Sequence, residues 1–164
     1  MSAPILDRAI VQFDCTGIAT GKMRNELSVT MALPFPEGPF ELATDEGSFH
    51  GGDASAPPPL ALFVGGLTGC IMTQIRAFAK RLGVRLDDLK VETRVQWDWQ
   101  AAGRVYETAP RSFEIDVMID SPDDADKVEA LIAAAKKGCF IEQTLGRQNT
   151  IRHRMRTAEG WRDV

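Results

Sequence analysis

Histidine and cysteine are scarce in this chain: two His and three Cys among 164 residues. His50 and His153 lie far apart, and no Cys-x-x-Cys and no His–Cys cluster occurs, so a structural zinc site is not expected. Cys15, Cys70 and Cys139 are too few, and odd in number, for a secreted disulfide framework. Positive charge is in deficit, with a net charge of −4 and a pI near 5.2, so no nucleic-acid partner is expected. No apolar run reads as long enough to span a bilayer. The opening MSAPILDRAIVQFD places Asp7, Arg8 and Asp14 where a signal peptide would be apolar. Internal repeats and low-complexity linkers are lacking too. These absences predict a cytoplasmic protein without a membrane partner, folded as one domain over residues 1–164.

What is present alternates between strand and helix signals. RAIVQFDCT (Arg8 to Thr16) predicts a first strand and GIATGK (Gly17 to Lys22) a turn. RNELSVTMAL (Arg24 to Leu33) predicts a second strand, and FELAT (Phe40 to Thr44) a third. Residues 45–59 form a long irregular segment ending in Pro57-Pro58-Pro59, which leads into a helix from about Leu60 to Leu82. VETRVQWDW (Val91 to Trp99) and SFEIDVMID (Ser112 to Asp120) alternate with period two, the mark of half-buried antiparallel strands joined around Gly103.

SPDDADKVEALIAAAKKG predicts a second helix. Ser121 is its expected N-cap, Pro122 its first residue, and Asp124 completes a capping box. Val128, Leu131, Ile132 and Ala135 form its buried stripe, and Gly138 is its expected C′ residue. TIRHRMRT (Thr150 to Thr157) then closes the sheet. The order predicts an α+β fold: a mostly antiparallel sheet with two main helices on one side.

Within the first helix, Gly65, Gly66 and Gly69 crowd the approach to Cys70, although each costs about 1 kcal/mol against alanine. Gly66, Leu67, Thr73, Gln74 and Ala77 share the Cys70 face, whereas Arg76, Lys80 and Arg81 do not. The helix alone therefore supplies small and apolar neighbours and no cation, a setting in which a cysteine is an inert packing residue. Reactivity at Cys70 would need a cation and a base from other segments, and a partner thiol. Cys139, just past the second helix, is a candidate for that thiol.

The runs FHGGDASAPPPLALFVGGLTGC and AAAKKGCFIEQTL resemble the osmotically inducible protein C (OsmC) family, which includes the organic hydroperoxide resistance proteins. The likeness covers nearly the whole chain. It comprises a Gly-Gly pair ahead of a proline-led helix, a cysteine in that helix, and a second cysteine 69 residues on, after another helix. The resemblance implies an intertwined homodimer on the α+β fold predicted above. It also implies a thiol peroxidase, with organic hydroperoxides as substrates and an external dithiol as reductant. Carried over, Cys70 is the peroxidatic cysteine and Cys139 the resolving one, and no cofactor is called for. The three glycines would then allow close helix or backbone approach around the thiol.

The family also implies an arginine from the N-terminal hairpin that stabilises the thiolate, and a glutamate that orients it. Arg24 matches the arginine, with Lys22 second. In the hydroperoxide resistance branch the glutamate lies ten residues before the first cysteine; here that position is Leu60. Glu46 is the candidate replacement, and Glu142, in CFIEQTL where the family has Cys-Pro, is a second. Leu60 keeps open an alternative, a non-catalytic dimer that binds a hydrophobic small molecule, and a slow redox sensor is a third reading. His50 is read as a loop histidine or a proton donor, Cys15 as strand packing, and Arg152, Arg154 and Arg156 as a solvated face.

Overall fold

The computed structural model describes residues 7–164. The chain forms two compact units, Met1–Phe63 and Val64–Val164.

The first unit is a three-stranded antiparallel sheet, β1 (Gln12–Thr20), β2 (Arg24–Leu33) and β3 (Glu37–Thr44), with β2 central. β1 runs further than its sequence suggested, through Gly17 to Thr20, because Gly17 pairs with Leu27 instead of turning. The reversal falls at Gly21, whose φ of +64° suits a residue without a Cβ. The expected packing role of Cys15 does not hold within the chain, since β1 leaves that thiol exposed. Beyond β3, the segment to Pro58 is irregular apart from a 3₁₀ turn at Ser48–His50.

Helix α1 (Pro59–Leu82) follows, and Gly83, at φ +67°, ends it in the left-handed region. Leu67, Ile71, Ile75 and Ala79 recur every four residues and are buried. The reading that no apolar run could span a bilayer is corrected here. By length and composition α1 is long enough and apolar enough, with a mean hydropathy of 1.4 over its best window. In this fold, Ile71, Ile75 and Ala79 are part of the hydrophobic core of the second unit.

That core is completed by Val84, Leu131, Ala135 and Cys139, with Leu89, Val91, Ile115, Val117 and Ile119 packed against it. The last five come from a long ribbon, β4 (Asp88–Ala102) paired with β5 (Val105–Asp120). Both strands outrun the expected spans, and the turn is at Gly103 (φ +64°).

Helix α2 (Ala125–Gly138) buries Leu131 and Ala135 of the anticipated stripe and leaves Val128 and Ile132 half-buried. Its N-cap is Asp124, not Ser121: the Asp124 carboxylate accepts from the Lys127 N–H at 2.9 Å. The Ser121 hydroxyl instead donates to the Arg85 carbonyl at 2.6 Å. Gly138 is the last helical residue and not a left-handed C′ residue. Its glycine is needed for space, because a Cβ there would meet the Phe78 ring at 2.6 Å.

A short helix α3 (Phe140–Leu145), unforeseen in the sequence, comes directly after Cys139. The chain ends in a separate hairpin of β6 (Arg154–Thr157) and β7 (Gly160–Asp163). The expectation that TIRHRMRT closes the sheet is thus corrected: among the described residues its strand pairs only with β7, and the antiparallel strands form three separate sheets.

Candidate active site

Cys70 and Cys139 come together in the second unit. Cys70 stands one turn above Gln74 on α1 and is half-buried; Cys139 caps α3 and is fully buried. Both are free thiols, and Cys70 packs against the core cluster that contains Cys139. The backbone N–H groups of Ile141 and Glu142, at the start of α3, favour the charged form of Cys139. Burial, first of all, pushes the Cys139 thiol up to about 11, and the neighbouring Cys70 sulfur adds to the rise. The two α3 N–H groups oppose it.

Beside the pair lies a cleft of about 360 Å³ lined by Ile71 of α1, Phe113, Ile115 and Val117 of β5, Ile132 and Lys136 of α2, and Glu142. A smaller hollow of about 250 Å³ shares Phe113, Ile115 and Glu142 and adds Leu67. Five apolar side chains line the larger cleft, but Lys136, Glu142 and main-chain atoms make most of its open surface polar, whereas the smaller hollow is mainly apolar. Neither cysteine belongs to either lining.

The expected close approach at the α1 glycines is absent within the chain. A Cβ on Gly65 or Gly69 would enter open space, and one on Gly66 would only touch Ile141 at 3.6 Å. The glycine that does admit a neighbour near the thiols is Gly138. The sequence showed it only as a helix terminus, so its packing role had no local signal.

The first unit holds Arg24 in a set of bonds that the sequence did not reveal. Arg24 Nε donates to Glu26 Oε1 at 2.6 Å, and Nη1 donates to the Ser55 carbonyl at 3.0 Å and to Ser55 Oγ at 2.9 Å. Among the described residues, the carboxylate bonded to Arg24 is that of Glu26, and the expected Glu46 makes no such bond. The physical reason is the pleat: Arg24 and Glu26 lie two apart on β2 and share a face. Glu46 acts through its main chain, its carbonyl accepting from Ala54 N–H at 3.0 Å. Lys22, the second cation considered, is exposed and pairs with Asp53 at 2.7 Å.

Asp45, 2% exposed, is the acid that builds the loop. Its carboxylate accepts from Ser55 N at 2.9 Å, from Ser55 Oγ at 2.7 Å and from Glu46 N at 2.8 Å. The two bonds from Ser55 hold its carboxyl below the usual carboxylate range. The spacing of Glu26 from Arg24 could have been found in the sequence. Asp45 and Ser55, ten residues apart in an irregular loop, could not.

His50 ends the 3₁₀ turn, edge-on to Phe49 with ring centroids 4.8 Å apart. In the second unit, the terminal arginines are engaged by β7. Arg152 makes two bonds to Asp163 at 2.8 and 2.9 Å, and Arg154 and Arg156 lie over Trp161.

Comparison with known proteins agrees with the α+β fold. Residues 51–154 match the family model described as OsmC-like protein. The chain is similar to an OsmC-like hydroperoxide resistance protein from Jannaschia sp. CCS1, with 63% identity, 94% of this chain and 98% of that one covered, and a TM-score of 0.65. The fold is shared with an organic hydroperoxide resistance protein from Legionella pneumophila (19% identity, 84% and 91% covered, TM-score 0.60). It is shared also with an OsmC-like protein from Mycoplasma pneumoniae (16% identity, 86% and 89% covered, TM-score 0.62). No curated protein matches the chain. A family model spanning most of the sequence, and a solved relative matched nearly end to end, place the chain in the OsmC-like protein family.

Proposed function

We propose that the protein is a thiol-dependent peroxidase that reduces organic hydroperoxides through Cys70 and Cys139. The observation that supports this reading is the neighbouring pair of free thiols, one half-buried and one fully buried. A thiolate is the nucleophile in such chemistry. Cys139, with its value near 11, keeps its proton at neutral pH and does not compete for the peroxide. That leaves Cys70 to attack first.

The Cys70 thiolate attacks the terminal peroxide oxygen and the O–O bond breaks. The departing alkoxide takes up a proton and leaves as an alcohol, while the sulfur is oxidised by two electrons to a sulfenic acid. The Cys139 sulfur then attacks the Cys70 sulfur, and the S–O bond breaks. Hydroxide leaves with the Cys139 proton as water, and a disulfide remains. An external dithiol reduces it by exchange. The smaller hollow, lined by Leu67, Phe113, Ile115 and Leu145, suits the alkyl part of a hydroperoxide. The name of the Jannaschia relative supports the substrate class. From the resemblance we also carry Arg24 as the cation that serves Cys70. The same source implies a cytoplasmic homodimer, and exposed apolar side chains such as Leu60 and Phe140 are consistent with one.

The test is a free-thiol count and an intact mass after one equivalent of cumene hydroperoxide, on wild type, Cys70→Ser and Cys139→Ser. The wild type should quickly lose two thiols and the mass of two hydrogen atoms. A sulfenic acid should be trapped in Cys139→Ser and be absent from Cys70→Ser. Survival of both thiols for minutes would refute the peroxidase. The cleft would then favour the second reading, a binding protein for a hydrophobic small molecule.

A further inference from the structure

The segment from Asp45 to Ser55 folds back on itself more tightly than a surface connection requires. Asp45 is buried although it is charged, and its carboxylate is met by backbone and hydroxyl donors from Glu46 and Ser55. Gly52 fits only because it lacks a Cβ, which would run into the Glu46 carbonyl. Ala54, just before Ser55, has a φ of +52°, a costly value for a residue with a side chain. Strain, a buried charge and a steric demand thus meet in one short loop, and all three fix Ser55.

Ser55 is also where the loop meets the β1–β2 hairpin. Its hydroxyl gives its one proton to Asp45 and so turns a lone pair toward Arg24 Nη1. Its carbonyl accepts from the same nitrogen. Glu26 takes Nε. The three bonds use Nε and Nη1, and none of them uses Nη2. A second tie, Lys22 to Asp53, holds the same loop to the same hairpin two residues away on each side.

We infer that Asp45, acting through Ser55, is a positioning residue for Arg24 and shares with Glu26 the part of the glutamate whose position is taken by Leu60. The inference rests on the proposed function, in which Arg24 serves Cys70. Glu26 holds one side of the guanidinium, the Ser55–Asp45 relay holds the other, and the Nη2 edge is left to face an anion. A charge-assisted bond through a hydroxyl fixed in this way is directional, which a lone lysine–aspartate pair is not.

The experiment measures the rate of Cys70 carbamidomethylation by iodoacetamide from pH 5 to 9, by peptide mapping, alongside cumene hydroperoxide turnover. The variants are Ser55→Ala, Ser55→Thr, Asp45→Asn, Arg24→Met and the double variant Ser55→Ala/Arg24→Met. Ser55→Ala should slow Cys70 at neutral pH about tenfold and move its profile to higher pH, as expected for one lost bond to a charged group. Ser55→Thr, which keeps the hydroxyl, should restore most of the rate. In the Arg24→Met background Ser55→Ala should add nothing, since the relay works through Arg24. If Arg24→Met slows Cys70 while Ser55→Ala and Asp45→Asn, both folded by circular dichroism, match wild type, the relay is overturned and the role of Arg24 stands. If Arg24→Met also matches wild type, both fall, and the thiol count with peroxide alone decides whether the cysteine pair is a peroxidase.

Discussion

Gly52 lies against the main chain of Glu46 so closely that a Cβ would run into the Glu46 carbonyl and come within 2.9 Å of Asp45 Oδ1. The obstacle is backbone, which cannot swing aside as a side-chain tip can. Gly52→Ala should therefore destabilise the protein by about 1–3 kcal/mol, the usual cost of overpacking. Gly51, at φ +79° with open space around its Cα, should instead accept asparagine at little cost. Urea denaturation of the two variants against wild type checks this. Equal midpoints for Gly52→Ala and wild type would mean that the loop does not close over Asp45 as described.

Alkaline pH should act on stability through Cys139. Its value is raised from 9.0 to about 11 by burial and by the Cys70 sulfur. An unfolded chain loses this proton first, so the native state is favoured below about pH 9 and loses that advantage as pH rises toward 11. The gap corresponds to roughly 2–3 kcal/mol. Chemical denaturation of the reduced protein at pH 8 and pH 11, compared with Cys139→Ala, isolates the contribution. The wild type should lose more stability than the variant over that interval. Parallel losses would show that the buried thiol is not the group responsible.

The terminal hairpin should respond locally to loss of Trp161. Arg154 and Arg156 sit 5.3 and 5.6 Å from its ring centroid, and Arg152 and Asp163 close the ladder alongside. A two-stranded hairpin has little stability of its own, and each exposed cation–π contact adds about 0.5–1 kcal/mol. Trp161→Ala should speed amide exchange across residues 154–163 while leaving the melting temperature and the Cys70 alkylation rate unchanged. A drop in either would tie the hairpin to the rest of the fold.

Legibility followed the range of the interactions. The period-two runs of β4 and β5 and the four-residue spacing along α1 and α2 were readable because pleat and helix repeat within a few residues. Strand ends were less so: β4 and β5 extend well past their alternating segments because pairing across the Gly103 turn continues as long as a partner strand is available. α3 was missed because six residues carry too little periodicity to stand out. The Ser121 cap was misjudged because Asp124, three residues on, competes for the same role and starts the helix later.

At the site the division is sharper. The sequence by itself determined that the chain carries two cysteines at helix positions 69 residues apart, an arginine at the mouth of a hairpin, and no glutamate at residue 60. It determined, too, that the fold is α+β, since hydrophobic periodicity is written locally. Only the tertiary structure decided that Cys139 lies beside Cys70 and that Gly138, and not Gly65 or Gly69, admits a neighbouring ring. It also decided that Arg24 is held by Glu26 and Ser55 while Asp45 stands behind Ser55. Apart from Arg24 and Glu26, two positions apart on one strand face, these contacts join residues 10 to 69 positions apart. A chain's local preferences do not encode such distances; the closing of the loop and the packing of α1 against α2 do.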